Sequence, residues 1–451
     1  MTDYPVIRIH NTATRVKDVF TPVDPSNVRM YVCGPTVYDF AHVGNARPVV
    51  VFDLLARLLR HVYGEAHVTY ARNITDIDDK IMARAAETGE AIDAITNRYA
   101  DAYHADMAAL NALPPDIEPR ATGHIDVMVD MIARLIDKGH AYAADGHVLY
   151  HVPSLAGYGR LSGRNRDEMI AGARVEVASY KKDPADFVLW KPSAPDQPGW
   201  DSPWGRGRPG WHLECSCMIE RNLGETIDIH GGGIDLVFPH HENEIAQSEG
   251  VHDGAPLSRY WMHNGYVTVE GEKMSKSLGN FYTVHDLLDE FGRKGGEAIR
   301  LHLLSAHYRQ PLDFSKDGIG QAVRQLDRIY RLVGGVEATG APVPARVMEA
   351  LCDDLNTPAA IAALNALASS GDLPGLRAAC DLMGLVQMDP EVWDGRGAAD
   401  EGDARINALI AERLAARKAK DFATADRIRD ELTVDGIILE DGPEGTTWRR
   451  Q

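Results

Sequence analysis

At 451 residues the chain is too long for one compact core and has room for two or three domains. Its composition, 44% hydrophobic and 25% charged, is that of an ordinary globular protein, and no apolar run is long enough to span a bilayer. With 47 basic against 66 acidic residues the net charge is −19, which excludes a nonspecific nucleic-acid binder coated in lysine; any polyanion has to be met by local basic patches.

The opening stretch MTDYPVIRIHNTATRVKD lacks a basic segment followed by an apolar one, so no signal peptide is expected. The cysteines, at 33, 215, 217, 352 and 380, lack the paired spacing of a secreted disulfide framework, and a reducing cytoplasm is the expected setting. VRMYVC (28–33) reads as a buried strand and GPTVYDFAHVGN as a loop. ARPVVVFDLLARLLRHVYG then sets Phe52, Leu55, Leu59 and Val62 on one helical stripe, with Pro48 in the first turn. HVTYARNITDID returns as a second strand, which predicts a right-handed βαβ unit with its loop and helix N-terminus at the carboxyl edge of a parallel sheet, where ligands bind.

Residues 114–222 break this pattern, and the stretch holding Trp190, Trp200, Trp204 and Trp211 reads as an insertion folded back over the site, since flexible linkers are not built from tryptophan. The strand-loop-helix pattern resumes in TIDIHGGGIDLVFPHHENEIAQSEG and WMHNGYVTVEGEKMSKSLGN, so the nucleotide-binding domain is split in sequence. Stretches such as TPAAIAALNALASS have helical periodicity, DGRGAADEGD (394–403) reads as a linker, and a helical pair with a small β element, GIILEDGPEGTTWRR, closes the chain. The expected fold is α/β: a Rossmann-type parallel-sheet catalytic domain in two halves (1–113 and 223–320), a connective insertion (114–222), a helical bundle domain (321–400) and a small C-terminal α+β module (401–451).

The loop before the first helix contains HVGN. A helix N-terminus offers unpaired N–H groups and the positive end of its dipole to phosphate; Gly44 permits close approach, and His42 and Asn45 can donate hydrogen bonds. Downstream, KMSKSLGN (273–280) carries Lys273 and Lys276 on a loop with hinge freedom at Gly271 and Gly279. Two ammonium groups there suit a triphosphate attacked at its α-phosphorus, where charge grows on the equatorial oxygens and the departing pyrophosphate. No Walker A pattern is present, and HGGG (230–233), without a Gly-x-Ser-x-Gly nucleophile, reads as a tight strand-to-loop turn beside a ligand. In PHHENE, His240 and Glu244 are four apart on a helix opening at Pro239 and face the same way; Cys33 with Cys215 or Cys217 would complete a four-ligand zinc site. ERLAARKAKDFATADRIRD (412–430) and TTWRRQ are candidate basic patches, each also readable as a solvated face or a frayed tail.

Together, YVCGPTVYD with HVGN, RNITDIDDK, GWHLECS, DIHGGG, FPHHENEIAQSE, KMSKSLGN and ARKAKDFATADRIRDEL with GPEGTTWRR resemble the bacterial cysteinyl-tRNA synthetases, class I aminoacyl-tRNA synthetases, over essentially the whole chain. The resemblance implies one Zn²⁺ per chain on Cys33, Cys215, His240 and Glu244, with Cys217 outside the set. It implies ATP contacts from His42, Gly44, Asn45 and Lys276, with Asn45 standing where the family's signature has its final histidine. An amino-acid pocket of Cys33, Gly34, Thr36, Thr75, Trp211 and Asp235 follows from it, as does catalysis through His42, Asn45, Lys273 and Lys276. The implied partners are L-cysteine, ATP with Mg²⁺, and tRNA-Cys, handled by a cytoplasmic monomer with no membrane contact. In this frame the C-terminal region grips the anticodon stem-loop, with Trp448 stacking on a base. Two rivals are a cysteine ligase with an amino-sugar acceptor and a noncatalytic RNA-binding paralogue.

Overall fold

The computed structural model describes residues 5–164, 168, 179–269, 271–274, 280–336, 340–395, 401–418, 421–434, 437–442 and 445–450. The chain divides into two compact units, Met1–Gln387 and Met388–Gln451.

In the first unit a short hairpin, β1 (Arg8–Asn11) and β2 (Val16–Val19), precedes β3 (Val28–Val32), the helix Val43–Tyr63 and β4 (Val68–Arg72). An antiparallel sheet follows, of β5 (Ala141–Ala144), β6 (His147–Tyr150), β7 (Phe187–Pro192) and β8 (Gly207–Pro209). The helix Trp211–Leu223 then leads into β9 (Ile227–Gly233), the helix Glu242–Val251 and β10 (Ser258–Asn264). The central sheet has the order β10-β9-β3-β4 and is parallel throughout. Register puts Tyr31 beside His230, and His230 beside Trp261. Both faces of this sheet are covered, which accounts for the near-continuous apolar run of VRMYV.

The helix Val43–Tyr63 starts three residues earlier than its apolar pattern suggests. His42 is the N-cap, so Val43, Gly44 and Asn45 belong to the first turn, and Pro48 falls in the second turn, where it donates no bond to the Gly44 carbonyl. A single apolar stripe is also too narrow a reading: Val49 to Leu55 are buried without a break, so the helix is enclosed on most of its faces. Its one acidic residue in that run, Asp53, is paired with Arg57 (2.9 Å) and the fully buried Arg300 (2.6 Å).

HGGG is strand, not a turn. Gly231, Gly232 and Gly233 pair with Met262, His263 and Asn264. The glycines serve close approach, since a Cβ on Gly231 would lie 2.4 Å from the Phe52 ring. The regular helix after β9 opens at Glu242 rather than at Pro239; residues Val237–His241 form a wider, irregular turn before it. The tryptophan-rich insertion is folded: Trp190 is fully buried with Leu189, Phe187 and Tyr150, while Trp200 and Trp204 pack on the same cluster.

β11 (Val267–Val269) and β12 (Glu272–Lys273) form the hairpin that enters the lysine motif, and β11 also pairs in parallel with β13 (Leu312–Phe314). Helices Lys316–Val333, Ala345–Cys352, Thr357–Ser370 and Leu373–Leu382 complete the first unit. The second unit holds helices Glu401–Lys418 and Phe422–Val434 and the hairpin of β14 (Ile437–Gly442) and β15 (Gly445–Arg450). Of the expected linker 394–403, residues 396–400 lie outside the described residues and Glu401 already begins a helix.

Candidate functional site

Three elements deliver sulfur, nitrogen and oxygen donors to the carboxyl edge of the parallel sheet. Cys33 follows β3 directly, its N–H bonded to the Gly231 carbonyl (3.2 Å); Cys215 lies one turn inside the helix Trp211–Leu223; His240 and Glu244 flank the start of the helix Glu242–Val251. The sulfurs are 3.7 Å apart, Cys33 Sγ is 3.5 Å from Glu244 Oε1, Cys215 Sγ is 3.6 Å from His240 Nε2, and His240 Nε2 is 2.9 Å from Glu244 Oε1. All four donor atoms lie within 4.8 Å of one another, and only Cys33 is less than fully buried. A tetrahedral ion with bonds of about 2.3 Å to sulfur needs sulfurs about 3.8 Å apart, so the donor set fits a zinc-like ion. Cys217 points elsewhere, its sulfur 3.5 Å from Met131 Sδ in the insertion core.

The electrostatics of the four are mutually dependent. Burial favours a neutral His240, but Glu244 and Cys215 override it and hold the imidazole up to about 10. Burial also works against charge on Glu244, yet His230 and His240 keep its carboxyl well below the ordinary range. The hydrogen bond from Cys33 pulls the Cys215 thiol down to about 6, while burial pushes Cys33 well up, so Cys215 is the readier of the two to give up its proton. A metal ion here would bind thiolate and neutral imidazole, and so would displace the protons that Cys33 and His240 hold without it.

Around this cluster lies a ring of histidines that spacing did not single out. His230 Nε2 meets Glu244 Oε2 at 2.7 Å, His241 Nε2 lies 3.4 Å from Cys33 Sγ, and His241 Nδ1 is 2.8 Å from His263 Nε2. Cys33, His230, His241 and Glu244 form a second group of donors within 4.8 Å. Burial keeps His241 neutral and pushes His212 and His263 down to about 3. The one available signal was the doubled histidine of PHHE, read as a single ligand.

The pocket residues are distributed unevenly. Gly34 donates to Asn73 Oδ1 (2.8 Å), and a Cβ there would stand 1.6 Å from the Asn73 carbonyl, so only glycine fits. Thr36 and Thr75 share a backbone bridge. The Thr75 hydroxyl donates to Glu214 Oε2 (3.0 Å), a carboxyl that burial raises well above its usual range. Trp211, half-exposed at the start of its helix, stacks on His240 with centroids 4.2 Å apart. Asp235 sits in the turn that leaves β9, at the same sheet edge.

At the helix N-terminus, His42 Nδ1 accepts from Gly44 N (3.0 Å) and Asn45 Oδ1 accepts from His42 N (3.1 Å), a capping box. Because Nδ1 is an acceptor, the neutral ring carries its proton on Nε2. The Asn45 carbonyl oxygen is thus committed to the cap. The segment following the lysine motif is stitched to this turn: Val43 N donates to Tyr282 O (3.1 Å) and Val284 N to Ala41 O (2.8 Å). A Cβ on Gly44 would stand 3.0 Å from Met274 Cε, so the motif's methionine lies against the HVGN turn. Lys273 pairs with Thr268 in β12, while Lys276 and Gly279 lie outside the described residues. Gly271, at φ +76°, occupies the left-handed region.

A family model for the class I (C) tRNA synthetase catalytic domain matches residues 19–324, one for the cysteinyl-tRNA ligase anticodon binding domain matches 399–449, and a DALR domain model matches 346–370. Among curated proteins, the chain is 62% identical to a cysteine–tRNA ligase of Rhodospirillum rubrum, over 98% of this chain and 99% of the relative. It is 60% identical to that of Parvibaculum lavamentivorans, over 98% and 97% respectively. Among solved structures, Agrobacterium radiobacter LeuRS in a ternary complex with tRNA aligns with a TM-score of 0.55 at 12% identity, over 84% of this chain and 86% of that one. Mycobacterium tuberculosis methionyl-tRNA synthetase in complex with methionyl-adenylate aligns with a TM-score of 0.51 at 17% identity, over 89% and 87%.

Proposed function

The chain belongs to the cysteine–tRNA ligase family of class I tRNA synthetases and is an enzyme of that activity, and on this premise we propose that it selects cysteine through one zinc ion held by Cys33, Cys215, His240 and Glu244. The observation that carries the reading is the convergence of these four donors within 4.8 Å at the carboxyl edge of the sheet. Two sulfurs, an imidazole and a carboxylate suit zinc better than the hard cations, which prefer all-oxygen sites.

Cysteine and serine differ by one atom, and ordinary contacts separate such neighbours by only about 100-fold. Bound zinc supplies a soft Lewis acid that takes a thiolate far more readily than an alkoxide. Gly34, Thr36, Thr75, Trp211 and Asp235 then orient the rest of the amino acid. Its carboxylate attacks the α-phosphorus of ATP, pyrophosphate leaves, and the cysteinyl group passes from the adenylate to a ribose hydroxyl at the 3′ end of tRNA-Cys. Mg²⁺ accompanies the ATP phosphates.

The HVGN turn contributes the positive end of its helix and the His42 Nε2 proton to the nucleotide, while Lys273 and Lys276 neutralise the charge that grows as pyrophosphate departs. Asn45 supports His42 through the cap and leaves its amide nitrogen for a hydrogen bond. No covalent nucleophile is required, since alignment and charge stabilisation suffice for this displacement.

Residues 321–400 and 401–451 serve the tRNA, a reading supported by the anticodon-binding match at 399–449, which also disfavours an amino-sugar acceptor and a noncatalytic paralogue. No described helix is long and apolar enough to cross a membrane. In this reading the enzyme works as a cytoplasmic monomer.

Cys215→Ser tests the proposal. Metal content falls below one per chain, and the KM for cysteine in ATP–pyrophosphate exchange rises at least about 30-fold while that for ATP stays within about twofold. Equal losses for both substrates would count against a specificity role.

A further inference from the structure

Arg47 lies two residues beyond the HVGN turn and is fully buried, yet among the described residues its guanidinium pairs with no carboxylate. Its partners are four backbone carbonyls. Nη1 donates to Gly265 O (2.9 Å) and Tyr266 O (2.7 Å), and Nη2 to His307 O (3.2 Å) and Gln310 O (2.7 Å). Gly265 and Tyr266 are the link between β10 and β11, hence the first root of the hairpin that carries the lysine motif. His307 and Gln310 precede β13, the strand beside β11.

The second root of the motif, Tyr282–Val284, is bonded to Ala41 and Val43. Both ends of the lysine loop therefore attach to the first turns of one helix, one through backbone bonds and the other through a single side chain. A guanidinium is suited to this bridging role because its planar fork serves several acceptors at fixed angles, which an ammonium cannot match. The carbonyls can converge because Gly265 has no side chain; a Cβ there would stand 2.6 Å from Gln310 O.

We infer that Arg47 is a positioning residue for adenylate formation, fixing the β10–β11 root so that the lysine loop reaches the nucleotide bound at the HVGN turn. The inference rests on the proposed contact between that loop and ATP. The described partners of the Arg47 guanidinium are backbone carbonyls at the loop's root and beside β13, none of them a proposed metal ligand, so its loss acts through the loop. The effect falls on the transition state, where the lysine charges are needed, and spares cysteine capture at the metal cluster.

The test is cysteine-dependent ATP–pyrophosphate exchange by the full-length, metal-loaded enzyme. Arg47→Lys keeps the charge but not the fork. The expected result is a fall in kcat of at least about 30-fold, with KM for cysteine within about twofold and metal content unchanged. A merely structural role would lower the melting temperature and leave the kcat of the folded fraction intact. A kcat within about threefold of the parent in folded R47K overturns the inference, as does a cysteine KM that worsens as steeply as kcat. Gly265→Ala, which disturbs the same root with Arg47 in place, must show the same selective loss of kcat, and it decides alone if R47K does not fold. Lys276→Ala run in parallel separates the two claims. Unchanged exchange in K276A sinks the ATP contact of the loop, whereas unchanged exchange in R47K beside an impaired K276A sinks the role of Arg47 alone.

Discussion

Glu244 is held from two sides: Oε1 faces His240 at 2.9 Å and Oε2 faces His230 at 2.7 Å, all three side chains buried. One oxygen is directed at the donor cluster and the other is fixed behind it. His230 is in turn immobilised by its place in β9 and by stacking on Trp261, with centroids 4.5 Å apart. A residue that orients a ligand in this way commonly accounts for about 10- to 100-fold in metal affinity. His230→Ala should therefore weaken zinc binding by about that factor, measured by chelator competition without substrates; affinity within about twofold of the parent would show that Glu244 needs no such support. At this scale the sequence pointed to four donors that the fold brings together and was silent about what stands behind them. Spacing paired His240 with Glu244 but left the second sulfur open between Cys215 and Cys217, and the choice of Cys215 came with the family resemblance. His230, His241 and His263 acquire meaning only when β9, β10 and the turn Val237–His241 bring the His241 ring to 4.5 Å from that of His230 and 4.9 Å from that of His263, centroid to centroid.

Elements explain why some expectations needed correction. A glycine triplet reads as a turn because free φ is the usual reason for glycine, but β9 uses it for clearance, and only the neighbouring Phe52 ring reveals that. Likewise the start of the helix Val43–Tyr63 was obscured by Pro48, which periodicity places in a first turn although the capping box begins earlier. Element packing also leaves Asp106, on the helix Ile92–Ala109, buried against His285 of the helix Val284–Phe291, 3.6 Å away, with no hydrogen-bond partner for Oδ2 among the described residues. Burial raises its carboxyl to about 6, from an ordinary value of 3.8. The folded state thus retains a proton that the unfolded chain releases, and stability falls as pH rises from 3.8 to about 6. Asp106→Asn removes that dependence. Its unfolding free energy, read from denaturant melts at each pH, should exceed the parent's above pH 7 and lose about 1–3 kcal/mol of that advantage toward pH 4. A constant difference across the range would rule out this titration.

On the scale of the whole molecule, the parallel sheet and its carboxyl-edge site were readable from two strand-loop-helix patterns, whereas the path of the insertion was not, because antiparallel pairings such as Val148 with Trp190 join residues that no local pattern links. The small C-terminal unit has its own core, in which Ile406, Ile410, Ile428, Leu432 and Ile437 are buried and Trp448 packs against them. Trp448 is therefore partly a core residue, which narrows the face it can offer to a base. A chain ending at Gln387 keeps the Val386 and Gln387 N–H groups that satisfy the Glu297 carboxylate at 2.8 Å each, so the first unit retains its last internal bonds. In the proposed division adenylate chemistry uses residues of that unit alone, and tRNA recognition does not. Removal of residues 388–451 should accordingly leave cysteine-dependent pyrophosphate exchange within about threefold of the parent and reduce tRNA-Cys charging at least about 100-fold. If exchange collapses in a truncated chain with a cooperative melt and full metal content, the C-terminal unit has a part in forming the adenylate site, and the separation of labour between the units is wrong.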